Sequence, residues 1–96
     1  MKTTKMLKKF REALEALNLK EGQAVDLGND RFLTGYLDGS DKIYGFGKFE
    51  DDFYVKDSNS MDGYPIGDLE RDDLKYIMSD VLPKLSKYEI NEFKHL

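Results

Sequence analysis

The 96-residue chain contains no cysteine, no tryptophan, two prolines and a single histidine. Without cysteine there can be no disulfide framework, thiol nucleophile or cysteine-built zinc site, and a reducing, cytoplasmic setting fits. The histidine, His95, stands one residue from the end of the sequence. A Ser–His–acid triad would have to recruit it from there, and a multi-histidine metal cluster is excluded by number. No apolar run reaches the roughly 18–20 residues that span a bilayer, so no membrane association is expected. The opening "MKTTKMLKKFREALEALNLKEG" starts basic, but its apolar residues are spaced and no small-residue cleavage site follows, unlike a secretory signal.

What is present is a globular composition, 40% hydrophobic and 35% charged, with a net charge of −4. That sign disfavours whole-surface attraction to nucleic acid or anionic lipid. The charge is uneven. Residues 1–20 carry six Lys/Arg against two Glu, residues 21–70 carry four against twelve acids, and residues 71–96 balance at five each. A basic first segment and an acidic middle can attract each other within one fold.

Met6, Leu7, Phe10, Ala13, Leu14 and Leu17 recur at the helical period, with Thr3 or Thr4 as the expected cap and Asn18 and Gly22 as stop signals. From Gln23 to Ile66 the pattern becomes strands broken by turn residues: "QAVDL", "RFLTGYL", "KIYGFGKF", "FYVK" and a short "YPI", separated by "GND", "GSD" and "EDD". Asp68 then reads as the cap of a helix with stripe Leu74, Ile77, Met78, Val81, Leu82 and Leu85. Pro83 cannot sit unstrained in its interior. The reading is therefore either two C-terminal helices, the last using Ile90 and Phe93, or one helix kinked near Pro83. The fold class expected is one α+β domain over residues 1–96: an N-terminal helix, an antiparallel meander of three to five strands, and the C-terminal helices.

Three-residue loops at "GSD" and "EDD" set an expected register. Leu37 then faces Ile43, Tyr36 faces Tyr44, Gly35 faces Gly45, Asp38 faces Lys42, Phe49 faces Phe53 and Gly47 faces Val55. Directly opposed residues share a sheet face. Leu33, Gly35, Leu37, Ile43, Gly45, Gly47, Phe49, Phe53 and Val55 fall on one side, where the glycines would let a helix approach. Phe32, Thr34, Tyr36, Tyr44, Phe46, Lys48, Tyr54 and Lys56 fall on the other.

Candidate chemistry is sparse. "GFG" lacks the third glycine and the strand-to-helix context of a dinucleotide loop, and no other cofactor motif is present. In "DSNSMDGYPIGD" the residues Asp57, Asn59 and Asp62 offer oxygen ligands, but counted from Asp57 a calcium loop has Met61 at its fifth position, its glycine seventh instead of sixth, and Asp68 where a glutamate stands twelfth. Glu50, Asp51 and Asp52 supply adjacent carboxylates at a hairpin tip, where water screens them. The second sheet face is the most informative feature, because five aromatics exceed what a solvated face carries. A second helical layer could cover it. It could be a protein interface, with homodimerisation the simplest form, or it could stack unpaired bases while Lys48 and Lys56 reach phosphates. The function expected is a small non-enzymatic binding or accessory module acting through a protein partner or itself. The alternatives are a nucleic-acid-associated protein using the basic helix or the aromatic face, and a carboxylate metal site in the 50–62 region.

Overall fold

A computed structural model describes residues 2–32, 42–58 and 60–92, with only the backbone described at 29–32 and 60–62. Helix α1, Thr3–Glu15, buries Met6, Phe10 and Leu14, one residue per turn on a single stripe. Its N-cap is Lys2 and no side chain caps it, so Thr3 and Thr4 lie inside the first turn instead of preceding it. The other end tightens through Leu17 N–H to the Leu14 carbonyl (3.1 Å) and Asn18 N–H to the Glu15 carbonyl (3.0 Å). Asn18 then enters the left-handed region at φ 55 and stops the helix, as the sequence suggested. Gly22, at φ 81, turns the chain into the sheet, where its N–H donates to the Lys48 carbonyl (2.8 Å).

The sheet has five antiparallel strands: β1 Gln23–Phe32, β2 Lys42–Phe49, β3 Asp52–Asp57, β4 Ser60–Pro65 and β5 Glu89–Glu92. Their order across the sheet is β4-β3-β2-β1-β5. The meander is as expected, but three details differ. "GND" is no turn: β1 runs through it as one strand, absorbing the segment as an irregularity between Asp26 and Arg31. Gly28 takes φ 70 there, and its N–H is held by the Asp26 carboxylate at 2.8 Å. Second, Lys42 lies opposite Phe32, not Asp38. Likewise Ile43 lies opposite Arg31, not Leu37, and Gly45 opposite Asp26, not Gly35, because β1 begins its pairing with β2 at Phe32. Tyr36, the expected partner of Tyr44, lies outside the described residues.

The third difference decides the faces. Phe49 lies opposite Asp52, so the β2–β3 turn holds two residues, Glu50 and Asp51, not three. Removing one residue from a hairpin loop slides the pairing by one, and in a period-two structure that exchanges the faces. Phe46 therefore pairs with Val55, Lys48 with Phe53 and Gly47 with Tyr54. A second irregularity, between Ile43 and Gly45, restores Ile43 to the core side.

After β4 come a single 3₁₀ turn, Ile66–Asp68, and the C-terminal helical segment. Asp68 belongs to that turn; the residue at the helix N-cap is Glu70. Helix α2, Arg71–Tyr76, continues as a π-helical turn over Ile77–Val81 and a 3₁₀ stretch over Leu82–Lys87. Pro83 accounts for the change of pitch. It has no N–H for the Ser79 carbonyl four residues back, and its ring would press on that carbonyl in a regular helix. The segment is thus one joined helical region broken near Pro83. It does not extend to Ile90: the backbone of Tyr88 is extended (φ −83, ψ 151) and residues 89–92 pair with β1 as β5. Phe93 lies outside the described residues.

One core joins these elements. Met6, Phe10 and Leu14 of α1, and Leu74, Ile77, Val81 and Leu85 of the C-terminal segment, pack on Val25, Leu27, Ile43, Phe46, Phe53 and Val55. Ile66 and Leu69 close one end of it. Among the described residues, this helical layer covers one face of the sheet.

Candidate interaction surface

The predicted aromatic face does not survive as a set. Phe46 is wholly buried and meets Phe10 of α1 edge-on, with ring centroids 4.8 Å apart. Lys48 shares the helix side and sets its ammonium 6.0 Å above the Phe53 ring. Both were expected on the opposite side, and the two-residue turn moves them. The β3 half of the expectation holds: Phe53 and Val55 face the helices, and alternation carries Tyr54 and Lys56 away from them. Lys56 is nonetheless 6% exposed, so its ammonium does not stand free on a surface. Tyr44 sits at the β2 irregularity, half-buried. Tyr36 and the side chain of Phe32 lie outside what is described.

The glycines also have a different role. A Cβ on Gly45 would stand 2.4 Å from the Val25 carbonyl oxygen and 3.5 Å from its carbon. Gly45 makes room for the backbone of the neighbouring strand β1, not for a helix.

The face turned from the helices gains a residue that the sequence reading placed in the core. Phe49 packs edge-on against Tyr54, with centroids 5.9 Å apart. This pair lies on the diagonal between the Gly47–Tyr54 and Phe49–Asp52 pairs, and both rings are half-buried. Immediately beyond Phe49 the hairpin tip exposes Glu50 and Asp51. Glu21 joins them, its carboxylate accepting the Glu50 N–H at 2.6 Å. Farther across the same face Asp26 is exposed, and its carboxylate accepts from the Asn91 side-chain amide at 3.1 Å.

The carboxylates singled out as a metal candidate do not converge on one point among the described residues. Asp52 is engaged by the Arg11 guanidinium of α1 and by the Phe53 N–H (2.7 Å). Asp57 is buried five residues farther along β3, on the order of 17 Å from Asp52 in an extended chain. Among the described residues no three His, Cys, Asp or Glu side chains gather closely enough to hold a metal ion. The side chains of Asn59 and Asp62 lie outside the described residues. Nor is any described helix long and apolar enough to cross a membrane.

The basic residues of α1 point elsewhere. Lys5, Lys8 and Lys9 are exposed, while Arg11 turns to Asp52 and ties the helix to the start of β3. That contact realises part of the expected attraction between the basic first segment and the acidic middle.

The fold defines an α+β protein with a five-stranded antiparallel sheet and a helical layer on one of its faces. No family model matches the chain, and neither does any curated protein or solved structure.

Proposed function

We propose that the chain is a non-enzymatic binding module that holds a protein partner on the sheet face turned from its helices. The Phe49–Tyr54 pair beside the exposed acids Glu50 and Asp51 carries this reading. Aromatic side chains supply the contact area that anchors protein interfaces. The acids beside them favour a partner surface bearing lysine or arginine, both in its rate of encounter and in its orientation. The same acids repel a phosphate backbone. The base-stacking alternative also needed Lys48 and Lys56 beside the rings, yet one lies on the helix side and the other is buried.

The test is a comparison of captures from native extract by three forms: the unaltered chain, Tyr54→Ala, and the Glu50→Lys/Asp51→Lys double variant. The reading expects one basic protein held by the unaltered chain and lost from both variants. Rebinding of that protein, once purified, should weaken at least tenfold in each variant and fall with added salt. A partner retained equally by all three folded forms would refute it.

A further inference from the structure

We infer that β5 is a pairing edge for a second copy of this chain, joined antiparallel about a two-fold axis through Ile90. The sheet order leaves β4 and β5 as its two outer strands. The β4 edge ends in Pro65, which has no N–H to offer a neighbour. β5 contains no proline, and its four residues, Glu89, Ile90, Asn91 and Glu92, are all exposed. Ile90 is the one large hydrophobic side chain exposed among the described residues, at 44%.

The pattern of β5 is self-complementary in one register. An axis through Ile90 sets Ile90 against Ile90 of the second copy and buries both. It sets Glu89 against Asn91 and Asn91 against Glu89, carboxylate opposite amide on each side of the axis. An axis through Glu89 instead sets Glu89 against Glu89, and directly opposed like charges destabilise a strand pair, while an axis through Asn91 sets Ile90 opposite Glu92. An isologous contact of this kind closes on itself and ends at a dimer. An antiparallel ladder accepts a two-fold axis through either type of residue pair, so no particular set of amides has to point outward. The joined sheet would have ten strands, with both helical layers on the same side as their own Ile90.

The absence of cysteine makes the register directly readable. In an Ile90→Cys variant the only two thiols in the dimer would face each other, with Cα atoms about 4.5–5.5 Å apart, within disulfide reach. In a Glu92→Cys variant on the same exposed edge, the two thiols would lie roughly 14 Å apart along the ladder. Added diamide, which takes two electrons and two protons from each thiol pair, should therefore cross-link the Ile90→Cys variant at least tenfold faster. Sedimentation equilibrium of the unaltered chain should show a dimer within the range up to about 1 mM. Ile90→Lys, which opposes two ammonium groups, should leave a folded monomer, while Ile90→Val keeps the dimer. Tyr54→Ala should also keep it, which separates this edge from the face proposed above. A monomer at every concentration would overturn the inference and leave the edge to a foreign strand. Persistence of the dimer in Ile90→Lys, or equal cross-linking of the two cysteine variants, would overturn it as well.

Discussion

The rings of Phe10 in α1 and Phe46 in β2 meet edge-on, 4.8 Å between centroids and 81° between planes, and neither is exposed. This contact fixes which side of the sheet the first helix covers. An edge-to-face pair adds to the area it buries because the positive ring edge meets the negative face. Phe46→Ala should lower the unfolding free energy by about 3–5 kcal/mol, the range for a phenylalanine removed from a core that cannot collapse around the void. Phe46→Leu should lose less. Urea denaturation with an unchanged slope would measure both. A loss below about 1 kcal/mol for the alanine variant would mean that the ring is not a core group.

Gly45, Gly22 and Gly67 should respond to alanine in three different ways. At Gly45 the new methyl meets the Val25 carbonyl oxygen at 2.4 Å, and the three nearest atoms are all backbone. The carbonyl cannot rotate away as a side chain could, so Gly45→Ala should destabilise by about 3 kcal/mol or more. Gly22 has open space but stands at φ +81, so Gly22→Ala should cost only the left-handed strain, roughly 1–2 kcal/mol. At Gly67 the nearest side-chain atoms are 3.9 and 4.0 Å away and no unusual φ is required. Gly67→Ala should be neutral, or stabilising by up to about 1 kcal/mol through the unfolded chain. Thermal melts of the three variants would rank them.

Much of this fold was legible because its signals are local. Met6, Phe10 and Leu14 announce α1 by period, Asn18 ends it by conformation, and Pro83 marks the break in the C-terminal segment by chemistry. The candidate surface was less legible because face assignment accumulates along the chain. One residue too many in the "EDD" loop moved Phe46 and Lys48 to the wrong side and hid Phe49 among core residues. No local rule separated the two loop lengths, since Glu50 is not a residue that advertises a tight turn. The "GND" segment misled for the opposite reason. Its turn chemistry is real, as the Asp26 contact to Gly28 shows, but it is spent on a bulge inside β1. β5 was masked by the helical spacing of Leu82 and Leu85, which ends where Tyr88 becomes extended.

The Arg11–Asp52 ion pair should contribute little to stability despite joining two elements far apart in sequence. Both side chains keep about a third of their exposure, at 36% and 34%, so water screens the attraction. Arg11→Ala should lower the unfolding free energy by about 0.2–1 kcal/mol, and most of that difference should vanish in 1 M salt. A double-mutant cycle with Asp52→Ala would isolate the pair from the packing of the arginine stem. A coupling above about 2 kcal/mol would show the contact to be drier than its exposure indicates.

The hairpin tip offers a stabilising change. Glu50 adopts φ 54 at the first central position of the two-residue turn, a conformation that strains a side chain bearing a Cβ. Its own N–H is held by Glu21, a contact that does not need the Glu50 side chain. Glu50→Gly keeps that hydrogen bond, relieves the strain and places the residue that tight hairpins favour there. The unfolded chain gains freedom, which offsets part of the benefit. The expected net change is a gain of up to about 1 kcal/mol, read as a higher urea midpoint at unchanged slope. Glu50→Val, β-branched at the same position, should move the midpoint down. A fall with glycine would mean that the Glu50 side chain stabilises the turn by a contact stronger than the strain it carries.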